Sequence, residues 1–279
     1  MAYKGKQTVG EKNLNPLNIK GKAWEGAKGV DAQGHAVFDD PSWAFRAAAR
    51  QLQRYALRGK LSLSDIIQTW APYMNEDPGK SANDPVKYAK TVGGWLRSEN
   101  PGEFPGLGGS VDVKHKGKVM GQSEESEDLG IYDSEGNVLR PDLLVKLFDA
   151  MLRYEVRPGY SREFGTEHPG AIRGGIAKFL ASANQGRFNT GEEGSYSPSE
   201  ETKGFYQEFI AGTLDANRDG GYLPGNLPPG SVTERVMAAL TNGEPERPSH
   251  KKSEKLKETR PVDRDLAALS NMGRNKGGM

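Results

Sequence analysis

The sequence predicts a mainly α fold, α+β with a small β element, in which a helical module is followed by C-terminal helices and an extended tail. Three observations lead there. Apolar residues recur at i, i+3, i+4, i+7 in several separate segments. Helix-start signals stand ahead of most of them. The hydrophobic fraction of 35%, with 36 glycines among 279 residues, supplies a core together with many turns.

The first segment, Asn15-Pro16-Leu17-Asn18-Ile19-Lys20, reads as a short extended element, followed by Trp24 and Gly26. Phe45, Ala48, Ala49, Leu52 and Ala56 then predict a helix. Asp40 is its N-cap, Pro41 its first-turn proline and Gly59 its stop. Ser62 and Asp65 open a second helix through Ile66, Ile67 and Trp70, which Pro72 ends. Asp84-Pro85 opens a third, striped by Tyr88, Val92, Trp95 and Leu96. Strand, aromatic-glycine turn and amphipathic helix together suggest a groove suited to an extended polymer.

Gly and Pro between Glu99 and Ser110, and acids from Ser123 to Asp128, predict a loop or hairpin with a strand in Val111 to Met120. Leu144, Leu147, Phe148, Met151 and Leu152 predict a helix from Pro141, broken by Pro158-Gly159. Ile172, Ile176, Phe179 and Leu180 predict the next. Ser197-Pro198-Ser199-Glu200 predicts the start of a helix carrying Phe205, Phe209 and Ile210, and Ser231 with Glu234 starts another. From Glu244 onward the composition is basic and too poor in apolar residues to order itself. Within it Val262, Leu266 and Leu269 keep helical spacing and form a candidate docking helix. The expected organisation is 1–98, a Gly/Pro-rich acidic linker 99–138, a helical half 139–183, a loop and helix pair 184–243, and the tail 244–279.

Composition also removes functional classes. With 38 basic and 37 acidic residues the net charge is +1, so nucleic acid is not favoured as a partner except through a local patch. The absence of cysteine excludes disulfides, thiolate catalysis and Cys-based zinc sites. No stretch approaches the ~18 apolar residues of a membrane span. The N-terminus, Met-Ala-Tyr-Lys-Gly-Lys, lacks the apolar run of a signal peptide; synthesis in a cytoplasm is the expectation. The four histidines, His35, His115, His168 and His250, accompany no Gly-x-Ser-x-Gly elbow, and neither a Walker loop nor a Rossmann fingerprint occurs.

Four candidate sites remain. Glu155 follows Leu144, Phe148 and Met151 at spacings of four, three and four, which puts a carboxylate on an apolar stripe in a last helical turn. Burial and the helix dipole both disfavour its charge there, as a general acid for glycosidic cleavage requires. The competing reading is an ion pair with Arg153 or Arg157. Arg46, Arg50, Arg54 and Arg58 recur every four residues, a stripe that either contacts an anionic partner or is solvated. Asp215, Asn217 and Asp219, ahead of Gly220, match the opening of a calcium loop, but its twelfth position is Asn226 rather than Glu. Calcium is the one metal candidate and no other cofactor is expected. Glu25, Asp39 and Asp40 are the candidates for a second carboxylate.

The series Asn15 to Lys20, Trp24-x-Gly26, and Phe38 before Trp43-Ala44-Phe45-Arg46-Ala47 resembles the second half of the glucosaminidase branch of the lysozyme superfamily. Extended through Tyr55, Ile66-Ile67 and Trp70-Ala71-Pro72, the pattern more closely resembles a family of small tailed-phage virion structural proteins. There the helix resembling Asp142 to Glu155 follows the strand region, as if the lysozyme order were permuted. The resemblance covers roughly residues 13–180. It implies a lysozyme-like helical module, a virion location, and partners among other virion proteins and copies of the same chain. It also implies glycan contact at Asn18, Trp24, Phe38 and Tyr55. Where those proteins commonly carry Glu-Asn-Gly, this chain has Glu155-Val156-Arg157. Three functions follow as expectations: a virion structural component that docks to other virion proteins, a murein hydrolase with Glu155 as general acid, or an internal virion protein ejected with DNA.

Overall fold

A computed structural model of the chain describes residues 7–104, 107–156, 159–184 and 199–218, all within the unit spanning residues 1–237. The tail positions Val262, Leu266 and Leu269, the helix expected after Ser231, Arg157 and Asp219 lie outside the described residues. The fold is mainly helical, with two small antiparallel strand pairs.

The chain opens with α1 (Val9–Lys12), fixed by a reciprocal capping box between Thr8 and Glu11. Residues 15–20 are not a strand. The buried Asn15 amide donates to the carbonyls of Ile19 (2.8 Å) and Ala36 (2.9 Å) and accepts from Ile19 N–H (2.9 Å). This side-chain competition with the backbone makes the segment a turn, tied to the chain entering the second strand by an isolated bridge between Lys20 and His35 and by Ala36 N–H donating to Ile19 O at 2.8 Å. The paired strands are β1 (Ala27–Val30) and β2 (Ala36–Phe38), one connection later than expected.

Helix α2 (Pro41–Ala56) begins and ends as its signals require: Asp40 accepts from Ser42 N–H, and Gly59 adopts φ 72° beyond the end. It is the central helix. Ala44, Ala47, Ala48, Ala49, Phe45 and Leu52 are all at most 1% exposed, and its small residues let α7 (Ala171–Asn184) lie close against it. A Cβ on Gly175 of α7 would stand 2.5 Å from Ser42 O and 2.6 Å from Phe45 Cβ. Phe45 also meets Phe148 and Phe164, with centroids 5.9 and 5.8 Å away.

Helix α3 (Leu63–Trp70) is capped by Ser62 and α4 (Pro85–Glu99) by Asp84. The hairpin β3 (Val111–His115) and β4 (Lys118–Ser123) packs on α4, with Gly121 against Val86. Residues 99–138, expected to be a linker, carry Phe104, Leu129, Ile131, Tyr132 and Val138 into the same core as the helices on either side. Helix α5 (Pro141–Glu155) ends where Val156 becomes extended. The short α6 (Tyr160–Glu167) was not predicted; it buries only Tyr160 and Phe164. Helix α8 (Glu200–Arg218) starts two residues beyond the expected proline, with Ser199 Oγ accepting from Thr202 N–H. It docks through Tyr206, whose hydroxyl accepts from Val138 N–H at 2.7 Å.

Candidate functional site

Three elements bring donors to the carboxyl group of Glu155, the last residue of α5. Asn18, in the Asn15-centred turn, donates from Nδ2 to Oε2 at 3.1 Å. Trp70, the last residue of α3, donates from Nε1 to Oε1 at 3.2 Å. Tyr88 of α4 donates its hydroxyl to Oε1 at 2.9 Å and lies flat against Tyr154 of α5, 3.8 Å between centroids. Segments 137, 85 and 67 residues apart in sequence therefore meet at one acid.

Each partner is delivered by its local structure. Asn18 holds φ 52°, a left-handed conformation that asparagine tolerates better than most residues, and its own N–H is tied to Asn15 O at 2.9 Å. Trp70 sits at the helix end because Ala71 caps α3 ahead of Pro72. Tyr88 is 2% exposed on the buried stripe of α4.

The Glu155 carboxyl titrates above its ordinary range. Burial is the largest cause; the Asn18, Tyr88 and Trp70 donors and the positive field of His35 oppose it without overcoming it. The residue remains partly open to solvent. A solvent-accessible carboxyl raised above its ordinary range is the form a general acid takes. The ion pair with Arg153 does not form: that guanidinium is engaged by Asp149 and Glu99.

The other candidates separate. Trp24 is half-buried, donates from Nε1 to Lys20 O at 2.7 Å, and has the Arg54 guanidinium 5.2 Å over its ring. Phe38 and Tyr55 are 3% and 5% exposed within the core, so burial removes both as sugar-stacking faces. The arginine stripe does not share one exposed face. A spacing of four advances about 40° per step on a helix of 3.6 residues per turn, so the series turns from interior to surface. Arg46 is 9% exposed, paired with Glu25 at 2.5 Å and donating to Ser182 Oγ at 3.0 Å. Arg50 is intermediate and donates to Gln53, while Arg54 and Arg58 are exposed.

The three proposed second carboxylates are all occupied: Glu25 by Arg46, Asp39 by Lys28 at 2.8 Å, and Asp40 by Lys178 at 2.9 Å. Asp215 and Asn217 belong to the helical backbone of α8, whose described side chains end at Thr213. A polar cavity of about 920 Å³ lies over Asp149, Arg153, Gly159, Ser161, Arg162 and Glu163; its lining does not include Glu155.

Sequence reasoning missed Trp70 and Tyr88 as partners of Glu155, since both read as ordinary apolar-stripe residues, and it missed Asn15 as the anchor of the turn. It also passed over the Asp31-x-Gln33-x-His35 run, whose spacing is that of a carboxylate folding back on its own backbone. Asp31 accepts from Gln33 N–H (2.8 Å), His35 N–H (2.9 Å), Asn13 Nδ2 (2.8 Å) and faces His35 Nδ1 (3.1 Å). No protein-family model matches this chain, and no curated protein matches it.

Proposed function

We propose that this chain is a lysozyme-like module of a tailed-phage particle that cleaves the glycan strand of peptidoglycan, with Glu155 as the general acid. The observation that carries this reading is the convergence of Asn18, Trp70 and Tyr88 on a partly accessible carboxyl that burial raises above its ordinary range. Oε1 accepts from two donors and Oε2 from one, so Oε2 has the freer position for a transferable proton. The acid would protonate the glycosidic oxygen as the bond to the anomeric carbon breaks. Asn18, Trp70 and Tyr88 then stabilise the carboxylate left behind, because all three are donors. Half-buried Trp24 is the remaining aromatic candidate for contact with the sugar.

The decisive experiment is clearing of purified peptidoglycan by the wild type and by Glu155→Gln. Loss of an essential acid should lower the rate ~10²–10⁴-fold. Equal activity in both, or none in either, rejects the catalytic role.

A second reading, a virion structural component that docks without turnover, is favoured by one observation: Glu25, Asp39 and Asp40 are each consumed by an ion pair. Under that reading the intact protein is found in purified particles while clearing is absent from wild type and variant alike.

A further inference from the structure

The two donors that share Oε1 of Glu155 stand at the two ends of one loop. Trp70 is the last residue of α3 and Tyr88 lies in the first turn of α4, with residues 71–84 between the helices. Apart from one 3-10 turn at Pro78–Lys80, that loop has no regular structure. A connection of this length within a compact fold either carries function or lies loose, and this one is tied at its neck. Asp84 Oδ1 accepts from Tyr73 OH at 3.1 Å and from Lys87 N–H at 3.0 Å, so one oxygen joins the chain leaving α3 to the first turn of α4. Asp84 O accepts from Tyr88 N–H at 2.9 Å. Alongside, Asn83 Nδ2 donates to Pro72 O at 3.1 Å and Met74 N–H to Ser81 Oγ at 3.0 Å. At the tip, Lys116 of the β3–β4 turn meets Glu76 at 3.0 Å.

Oε1 holds both donors only while the ends of α3 and α4 keep their spacing. Trp70 reaches it at 3.2 Å and Tyr88 at 2.9 Å, and such bonds weaken steeply once their geometry departs from these values. Tyr88 is steadied by the ring of Tyr154 lying flat against its own. Trp70 instead closes a short helix, whose end frays readily, and Tyr73, three residues on, ties that end down. Tyr73 is buried. Burial, reinforced by the Asp84 carboxylate, pushes its hydroxyl up to about 12, so it stays protonated and donates throughout the neutral range.

We propose that Tyr73 and Asp84 form the positioning clasp of the site, holding Trp70 and Tyr88 together on Oε1 of Glu155 and leaving Oε2 for the transferable proton. What the acid does with that proton rests on the glycosidase reading; the clasp itself is read without turnover. Neither residue touches the reacting atoms. Opening the clasp withdraws donors that oppose the effect of burial, so the Glu155 midpoint rises further. The carboxylate left after proton transfer is then less stabilised, and the transfer is slower.

The test follows two NMR signals in the full chain: the Glu155 carboxyl through a pH titration, and the Trp70 indole N–H, assigned with Trp70→Phe. Tyr73→Phe removes the hydroxyl and keeps the ring; it should raise the Glu155 midpoint and move the indole signal. Asp84→Ala should do the same. Asp84→Asn keeps an oxygen for both Tyr73 and Lys87 and caps a helix as well as aspartate does, so it should preserve the wild-type midpoint and signal. Gly175→Ala, which crowds the α2–α7 contact, is the stability control: it should lower the melting temperature and move neither signal. On peptidoglycan, Tyr73→Phe should lower kcat by up to about 10²-fold with KM unchanged. An unmoved midpoint and indole signal in Tyr73→Phe overturns the proposal, as does an equal displacement in Gly175→Ala. If Asp84→Ala does not fold, Tyr73→Phe decides alone. Wild-type kcat in Tyr73→Phe, with Glu155→Gln inactive, overturns the clasp and leaves the glycosidase reading standing. A wild type that cleaves no glycan rejects that reading, and the two NMR signals then decide the clasp.

Discussion

Replacing Asn18 probes whether the N-terminal turn meets α5, because its amide is, among the described residues, the hydrogen bond that joins that turn to Glu155. Asn18→Gly removes that bond while leaving φ 52° unstrained. A hydrogen bond contributes about 0.5–1.5 kcal/mol when its acceptor is neutral and about 1.5–3 kcal/mol when it is charged, so the loss should grow as pH rises through the Glu155 titration, with solvent access keeping it near the lower end of each range. Asn18→Ala removes the same bond and adds about 1–2 kcal/mol for forcing a Cβ into the left-handed region. The alanine variant should therefore be the less stable of the two, by an amount the hydrogen bond does not explain. Urea denaturation of both variants, alone and combined with Glu155→Ala, gives the coupling between residues 18 and 155. A coupling above about 0.5 kcal/mol is expected of groups in contact. Additive effects would mean that the turn and α5 do not touch, and the site would have no N-terminal wall.

Stability should depend on pH through the same acid. Because the native carboxyl of Glu155 is raised, the folded state holds its proton more tightly than the unfolded chain does. Its contribution is full below the ordinary carboxyl range and is lost as pH rises through the raised native value, about 1.4 kcal/mol per unit of difference. Glu155→Gln should lack that fall when urea midpoints are compared from about pH 4 to about pH 8. Gly175→Ala should lower stability by about 1–3 kcal/mol through overpacking between α2 and α7, a melting decrease of roughly 2–4 °C per kcal/mol. Arg97→Ala should cost about 3–5 kcal/mol, since it strands the fully buried Glu125, which Arg97 meets at 2.7 Å; calorimetry showing no change would mean that Glu125 is neutral or solvated.

Helices α2, α3, α4 and α5 were legible because each pairs an apolar stripe with a local signal, as Asp40-Pro41 and Ser62 show, and α7 was legible from its apolar spacing alone. The turn at 15–20 was misread because Asn15 satisfies backbone groups with its side chain, which hydrophobic alternation does not register. Helix α6 escaped because an eight-residue helix burying two aromatics leaves almost no periodic trace. Glu155 stood out as a carboxylate on an apolar stripe, yet its partners did not: Trp70 and Tyr88 lie on other helices, and only tertiary packing brings them to it. The arginine series misled because spacing by four drifts around a helix, carrying Arg46 inward while Arg58 stays in solvent.

The central claim is that Glu155, held by Asn18, Trp70 and Tyr88, titrates above an ordinary glutamate and acts on a bound glycan. A carbon-detected NMR titration of its carboxyl, with and without a soluble chitin oligomer, tests it most directly. The account predicts a midpoint above that of an ordinary glutamate and a change in the carboxyl signal when the oligomer binds. An ordinary midpoint that ignores the oligomer would contradict it.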